Sequence, residues 1–398
     1  MTKKRAPSPI RHLLRFCSKL IIFLSVLLCL FAFLRLHFQP KLQQLFSTSR
    51  TYRRHHHFEG PPKIAFLFLV RRNLPLDFLW GAFFKNGDAA KFSIYIHSEP
   101  GFVFDETTTS SAFFYGRQLN NTIQVVWGES SMIEAERLLL EKALDDPANQ
   151  RFVLLSDSCI PLYDFSYIYN AVMPSPKSFV DSFIDVKEHR YDPKMSPTIP
   201  EEKWRKGSQW VTLIRRHAEL IVDDDSIFPV FSEFCKRWPP NDVTKRRKIL
   251  AFGLGSMFPW LTIQNHRNCI PDEHYVQTLL AMSGLEDELE RRALTYTLWN
   301  QSAMRKETKS WHPIMFHYED ASPQEIKKIK DIDHVYYESE HRTEKCQINS
   351  KLTPCFLFAR KFTHNAAIRL LTEGLVGPYD IRALSKATTS KRKRKQYI

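Results

Sequence analysis

Short apolar runs separated by helix-patterned stretches constrain this chain most. KIAFLFLV at 63–70, FSIYIH at 92–97, TIQVVW at 122–127, RFVLLS at 151–156 and SFVDSFI at 178–184 all have strand length and strand composition. A run that is apolar at every position but its first, as 63–70 is, predicts a strand buried on both faces. Helix signals lie between the runs. Pro75 opens one helix that stops near Asn86 and Gly87. Ser131 stands as an N-cap with Glu134 three residues on, a capping box, and Ala135, Leu138, Leu139 and Ala143 supply the apolar face. Strands interleaved with helices predict the α/β class, a mostly parallel sheet flanked by helices. Ligands of such sheets bind beyond the carboxyl ends of the strands. That gathers Arg71, His97, Glu99, Asp157 and Ser158 on one rim.

The second half is less regular. SQWVTLIRRHAELIV at 208–222 reads as a strand followed by a helix. PDEHYVQTLLAMSG at 271–284 starts as a helix should, with Pro271 near the first position, acids in the first turn and Gly284 as the stop. LTYTLW at 294–299 and CFLFARKF at 355–362 are strand-like, and the latter runs into a helix with Thr363 as N-cap and Gly374 as terminator. Residues 186–207 form a long loop of the kind that covers active sites.

Charge divides the chain. The formal total is +14, which on a whole-chain reading suggests a binder of nucleic acid or membrane surface. Residues 1–58 hold eleven basic residues and no acid, and residues 386–398 hold six more, again with no acid. The remaining 40 basic residues face 43 acidic ones, so the body is slightly acidic and is not a nucleic-acid module. Hydrophobic content of 43% with 13% aromatic residues excludes a wholly disordered chain.

The uninterrupted apolar run LIIFLSVLLCLFAFL at 20–34 lies between Lys19 and Arg35. It is short against the ~20 residues a span needs, but flanking cations snorkel and Leu36 and Phe38 extend it. It has no small-residue cleavage site, which reads as an uncleaved signal-anchor over 19–38. The excess of basic residues before it puts residues 1–18 in the cytosol and the body in the lumen, a single-pass type II membrane protein. A short span suits Golgi or endoplasmic reticulum membranes. Residues 39–60, with His55, His56 and His57, read as a solvated stem. Lumenal placement makes Asn120 and Asn300 acceptor sequons for N-glycans. It also allows two disulfides among Cys159, Cys235, Cys269, Cys346 and Cys355, leaving one free thiol. Proximity in sequence suggests Cys346–Cys355, with Cys235–Cys269 as the second pair.

No motif of nucleophilic catalysis, phosphate-binding loop, dinucleotide fingerprint or zinc-protease signature is present. Asp223, Asp224 and Asp225 read as a solvated acidic turn, and Ser156-Asp157-Ser158 offers a single carboxylate. Asp272 and Glu273 place two carboxylates at a helix N-terminus, where the macrodipole favours the ionised form. An ionised Glu can serve as a general base, although such acids commonly serve the dipole alone.

Six segments, in order, resemble the core-2/I-branching β-1,6-N-acetylglucosaminyltransferase family, glycosyltransferase family fourteen, and its plant branch most. They are HSEP at 97–100, VVWGESSMIEAERLLL at 125–140, LLSDSCIPLY at 154–163, KGSQWVTLIRR at 206–216, NCIPDEHYVQTLL at 268–280 and LFARKF at 357–362. The resemblance covers roughly 63–375. It implies a GT-A-like Rossmann-type fold and an inverting transfer of sugar from a UDP donor to an acceptor hydroxyl, with no metal and no other cofactor. It implies Glu273 as the base, Lys361 on the diphosphate with Arg342 as its companion cation, and Glu99 toward the donor nucleoside. Arg215 and Trp299 match positions near the acceptor; Trp210 reads as core.

Two departures stand out. Cys159 replaces the acid of the family's "LSGxDFPL" segment, and Gly207-Ser208-Gln209-Trp210-Val211-Thr212-Leu213-Ile214 differs from its "GSxWFxLS" segment. These leave GlcNAc, xylose and glucuronic acid open as donors, with a cell-wall polysaccharide or arabinogalactan-type glycan as acceptor. The expected organisation is a cytoplasmic tail at 1–18, an anchor at 19–38, a stem at 39–60, a lumenal Golgi catalytic domain at 61–375 and a basic tail at 376–398. Two rival readings exist: a catalytically silent glycan-binding or scaffold protein of the same fold, and a soluble nuclear protein addressed by KRKRK at 391–395. The apolar run at 20–34 argues against the latter.

Overall fold

The computed structural model describes residues 19–20, 22–30, 58–186, 189–237, 267–299 and 313–377. The chain divides into two compact units, Met1–His57 and Phe58–Ile398. In the first unit, residues 19–20 and 22–30 are helical with exposed apolar side chains. Among the described residues no helix is long and apolar enough to cross a membrane. The rest of the expected anchor, residues 1–18, the stem to His57, Asn300 and residues 378–398 lie outside the described residues.

The second unit begins with β1 (Lys63–Leu69), α1 (Asp77–Lys85), β2 (Phe92–His97), α2 (Ser131–Leu144) and β3 (Asn149–Ser156). β4 (Ile160–Pro161), α3 (Phe165–Val172), β5 (Ser178–Phe179), β6 (Thr212–Ile214), α4 (Arg215–Val222) and α5 (Ile227–Phe234) follow. After residue 267 come the 3-10 turn Pro271–Glu273, α6 (Tyr275–Met282), β7 (Leu289–Glu290) and β8 (Thr295–Thr297). The remainder is α7 (Pro323–Lys330), the hairpins of β9 (His334–Tyr337) with β10 (Arg342–Lys345) and β11 (Gln347–Ile348) with β12 (Lys351–Leu352), then β13 (Phe358–Arg360) and α8 (His364–Thr372).

The main sheet has the order β2-β1-β3-β6-β5-β7. β2, β1 and β3 are parallel, β6 is antiparallel to both its neighbours, and β5 and β7 are parallel. A second sheet, β4-β13-β8, pairs β13 parallel to β8 and antiparallel to β4. β1 is buried on both faces, as its continuous apolar run requires. Ile64, Phe66 and Phe68 join one core with Trp80, Phe83, Phe165, Phe358 and Leu370. Ala65, Leu67 and Leu69 join the other with Leu139, Trp204, Trp210, Phe231 and Tyr275. Each large side chain buried this way contributes about 1.5–3 kcal/mol.

Several local expectations change. Residues 122–127 form no strand: beyond β2 the edge carries only the bridge Ile96↔Gln118, and Val126 stays exposed. Residues 178–184 shrink to a two-residue strand plus the bridge Phe183↔Lys206. Ser131 opens α2 but makes no capping box, since its hydroxyl accepts from Val126 N at 2.9 Å instead. Asp224 is not solvated. It is buried, accepts from Ile227 N and Phe228 N at 2.8 Å to cap α5, and takes the Tyr275 hydroxyl at 2.8 Å. Thr363 does cap α8, accepting from Ala366 N at 3.3 Å. Disulfides join Cys235 to Cys269 and Cys346 to Cys355, and Cys159 is a buried free thiol.

Candidate active site

The carboxyl ends of β1, β2 and β3 form the rim foreseen from the strand pattern. Glu99 N donates to Arg71 O at 3.1 Å, and the exposed Glu99 and Arg72 side chains pair at 3.7 Å. His97 is buried, and its Nε2 accepts from Ile123 N at 3.1 Å. Burial pushes its pKa down to about 4, so the ring is neutral. Ser98 Oγ is buried with no hydrogen-bond partner among the described residues.

Asp157, Ser158 and Cys159 form the turn after β3 and meet the end of β13. Ser158 O accepts from Phe362 N at 3.0 Å, and Cys159 O accepts from the Trp80 indole at 3.0 Å. Burial raises the pKa of Cys159, which keeps it a neutral thiol. Arg360 lies over the Trp210 ring at 4.2 Å, a cation–π contact, so Trp210 is a core residue that also supports a site cation. Lys361 is half-buried. Burial lowers its pKa, the neighbouring charges of Arg360 and Arg71 add to that, and Asp157 opposes it. Three cations and one carboxylate therefore converge where β1, β3 and β13 end. Trp299 follows β8, the parallel neighbour of β13, and is exposed at the same end of that sheet.

Glu273 closes the 3-10 turn that Pro271 opens, just before α6. Its carbonyl accepts from Gly207 N at 2.9 Å. Its Oε2 accepts from Arg190 Nη1 at 2.5 Å. Asp272 beside it is buried, and burial followed by the Glu273 charge pushes its pKa up to about 7, against Arg190 and Arg360. Arg360, seated on Trp210 three residues after the Gly207 that holds Glu273 O, lies between the cationic rim and the acidic turn. His274 stacks on Trp204 at 4.4 Å with Nδ1 2.8 Å from Arg205 O, and burial holds it neutral. Glu136 of α2 is buried against Gln209 at 2.6 Å, and burial raises its pKa well above the carboxylate range.

Two expected site residues lie elsewhere. Arg215 emerges from β6, which runs antiparallel to β3, so it sits at the amino end of β3, the end opposite the rim. Its guanidinium donates to Leu144 O, Asp146 O and Asn149 O at 2.8–3.1 Å and pairs with Glu219 at 2.9 Å, so it anchors backbone. Arg342 lies on the β9–β10 hairpin, bound to Glu340 at 2.8 Å and to Glu344 and stacked 4.7 Å over Tyr337. The cations acting on Lys361 are Arg360 and Arg71 instead. Asn120 is an exposed turn residue. Arg360 lies inside the LFARKF segment, whose resemblance points to the lysine beside it. Arg190 has no sequence signal beyond lying in the long loop.

One further arrangement has triad composition: Ser178 Oγ lies 2.7 Å from His217 Nδ1, and His217 Nε2 lies 3.0 Å from Glu288. Ser178 is wholly buried and its hydroxyl accepts from Ile214 N, so no substrate reaches it. Among the described residues no three His, Cys, Asp or Glu side chains cluster as metal ligands.

The sequence model of the core-2/I-branching enzyme family matches residues 64–330. Glycosyltransferase BC10 of Oryza sativa subsp. japonica is 52% identical over 320 residues, 80% of this chain and 78% of that protein. A crystal structure of an active-site mutant of LgtC aligns over 63% of this chain and 80% of its own, at 9% identity and a TM-score of 0.29, too distant to carry an argument.

Proposed function

The chain belongs to the core-2/I-branching enzyme family and is a glycosyltransferase, and on that premise we propose an inverting, metal-independent transfer from a UDP-sugar to a glycan hydroxyl. Glu273 takes the proton of the acceptor hydroxyl. The freed oxygen attacks the anomeric carbon in line, forming one C–O bond as the bond to the UDP oxygen breaks. The electron pair leaves with UDP. Lys361, with Arg360 and Arg71 behind it, opposes the charge that grows on the diphosphate, and a fixed cation needs little reorganisation as that charge develops. The donor sugar is GlcNAc, xylose or glucuronic acid. Glu99 faces the nucleoside side and Trp299 the acceptor side, where its ring can stack on a sugar.

The observation that carries this reading is that an acidic turn and a cationic rim meet: Gly207 N holds Glu273 O at 2.9 Å, and three residues on, the Trp210 ring carries Arg360, the neighbour of Lys361, at 4.2 Å. The sheet fits a GT-A-like fold, with the site beyond its parallel strands. Two disulfides in the body fit an oxidising compartment. That supports a Golgi-lumenal catalytic domain at 61–375 on a type II anchor at 19–38 and a stem at 39–60. The test is UDP release by the full-length protein with UDP-GlcNAc, UDP-xylose and UDP-glucuronic acid, with and without chelator. Activity with one donor, unchanged by chelator and lost in Glu273→Gln, is expected. Full activity in Glu273→Gln removes the base, and loss on chelation removes metal independence.

A further inference from the structure

We propose that Arg190 is a positioning residue for this transfer: it fixes the carboxylate of Glu273 through one oxygen and leaves the other for the acceptor proton. The inference rests on the reading of Glu273 as the base.

Arg190 belongs to the loop between Phe183 and Lys206. These two residues exchange backbone hydrogen bonds of 2.8 Å and close the loop at its neck. Gly207, the next residue, donates to Glu273 O at 2.9 Å, so the neck is tied to the backbone of the base. The loop then folds back on the same residue from the side-chain direction. Its course there is held by Asp185 Oδ2 accepting from Arg190 N at 3.2 Å and by Arg267 donating to Tyr191 O at 2.6 Å. Arg190 arrives with 8% of its side chain exposed and places Nη1 2.5 Å from Glu273 Oε2.

A guanidinium buried to that degree requires a compensating charge. Asp272 and Glu273 are the carboxylates of the turn it faces. Asp272 has its Oδ1 buried without a hydrogen-bond partner, while Glu273 takes the ion pair. The Glu273 side chain keeps 26% of its surface exposed, and the side-chain hydrogen bond it makes among the described residues is the one that Oε2 accepts from Arg190. One oxygen is thus occupied by a guanidinium, which has donors and no acceptor, and the other is open. A base held in one rotamer by a charge-assisted bond has its open lone pair fixed in direction, which proton transfer requires. Arg190 touches the carboxylate that reacts and acts through it.

The test is a double-mutant cycle on the full-length protein with the donor that supports turnover. Arg190→Gln is expected to lower kcat about 10- to 100-fold, the span for losing a hydrogen bond to a charged reacting group. The donor KM and the Kd for UDP stay at the wild-type value. Arg190→Lys recovers part of kcat. In a Glu273→Gln background the same Arg190→Gln change costs nothing further, because the carboxylate it positions is already gone. A kcat within about twofold of wild type in Arg190→Gln overturns the proposal, as does an equal loss in the Glu273→Gln background. If Arg190→Gln does not fold, Arg190→Lys decides. A reduced kcat at an unchanged melting temperature supports the role, and a wild-type kcat ends it. Full activity of Glu273→Gln would remove the base reading itself, an outcome distinct from an inactive Glu273→Gln beside a silent Arg190.

Discussion

Gly207→Ala is expected to damage catalysis more than any surface change of the same size. Gly207 has no need of a left-handed backbone; what it needs is space. A Cβ placed there would stand 1.7 Å from Asp181 O and 2.5 Å from its carbonyl carbon. Both atoms are backbone, and real Cβ contacts essentially never fall under 3.0 Å, so the two segments at this point must part by more than an ångström. Overpacking of this kind costs roughly 1–3 kcal/mol or more. The displacement falls on the residue whose N–H holds Glu273 O at 2.9 Å. A shift of about 1 Å in a positioned catalytic group costs about 100-fold in rate. The expected result is a kcat lower by about that factor, a melting temperature lower by several degrees and an unchanged Kd for UDP, since Lys361 lies on another element. Melting is read by scanning calorimetry and rate by UDP release. A Gly207→Ala protein with wild-type kcat and melting temperature would refute the claim that this close approach sets the base. Gly374→Ala is the control: it lies in open space at a φ of +64°, so it strains a helix end and leaves the rate alone.

Glu273→Gln is expected to lower transfer by about 100- to 10,000-fold while UDP still binds, as measured by UDP release and by calorimetric titration. Lys361→Glu is expected to raise the Kd for UDP at least about tenfold, whereas Arg342→Ala, already committed to Glu340 and Glu344, leaves it unchanged; the reverse ranking would restore Arg342 as the diphosphate cation. Asp272 holds its proton more tightly folded than unfolded, so between its ordinary pKa of 3.8 and about 7 the native state carries the extra proton and stability falls as pH rises. Melting curves from pH 4 to 7 are expected to slope less steeply downward in Asp272→Asn than in the wild type, and equal slopes would show that Asp272 does not hold that proton.

What the sequence discloses depends on how many faces an element buries. β1, β2 and β3 are legible because their apolar runs match their burial, and the rim follows from their shared direction. TIQVVW has the same composition but lies at an edge with Val126 exposed, and composition cannot tell an edge segment from a strand. Arg215 shows a second limit. A residue following a strand reaches the ligand rim only if the strand is parallel to its neighbours, and nothing local in VTLIRR encodes the reversal of β6. Glu273 and Lys361 could be named from their motifs. Arg190 could not, because its importance comes from a partner about 80 residues away, and Arg360 shares the motif of Lys361 but is singled out only by the Trp210 ring it rests on.

The two-faced burial of β1 has a consequence for how the chain reaches its fold. β1 leaves the ribosome soon before β2 but long before its other cover: its partner β3 begins at Asn149, and α8, which helps cover its aromatic face, begins at His364. Until β3 and α8 are made, a seven-residue segment of strand-forming, aromatic and aliphatic side chains is incompletely covered, the composition that seeds cross-β association. Lys63 at one end and Arg71 with Arg72 at the other stand where gatekeeping charges would be placed. The same two arginines that stand at the carboxyl-end rim of the sheet thus also stand where charges oppose misassembly of the nascent chain.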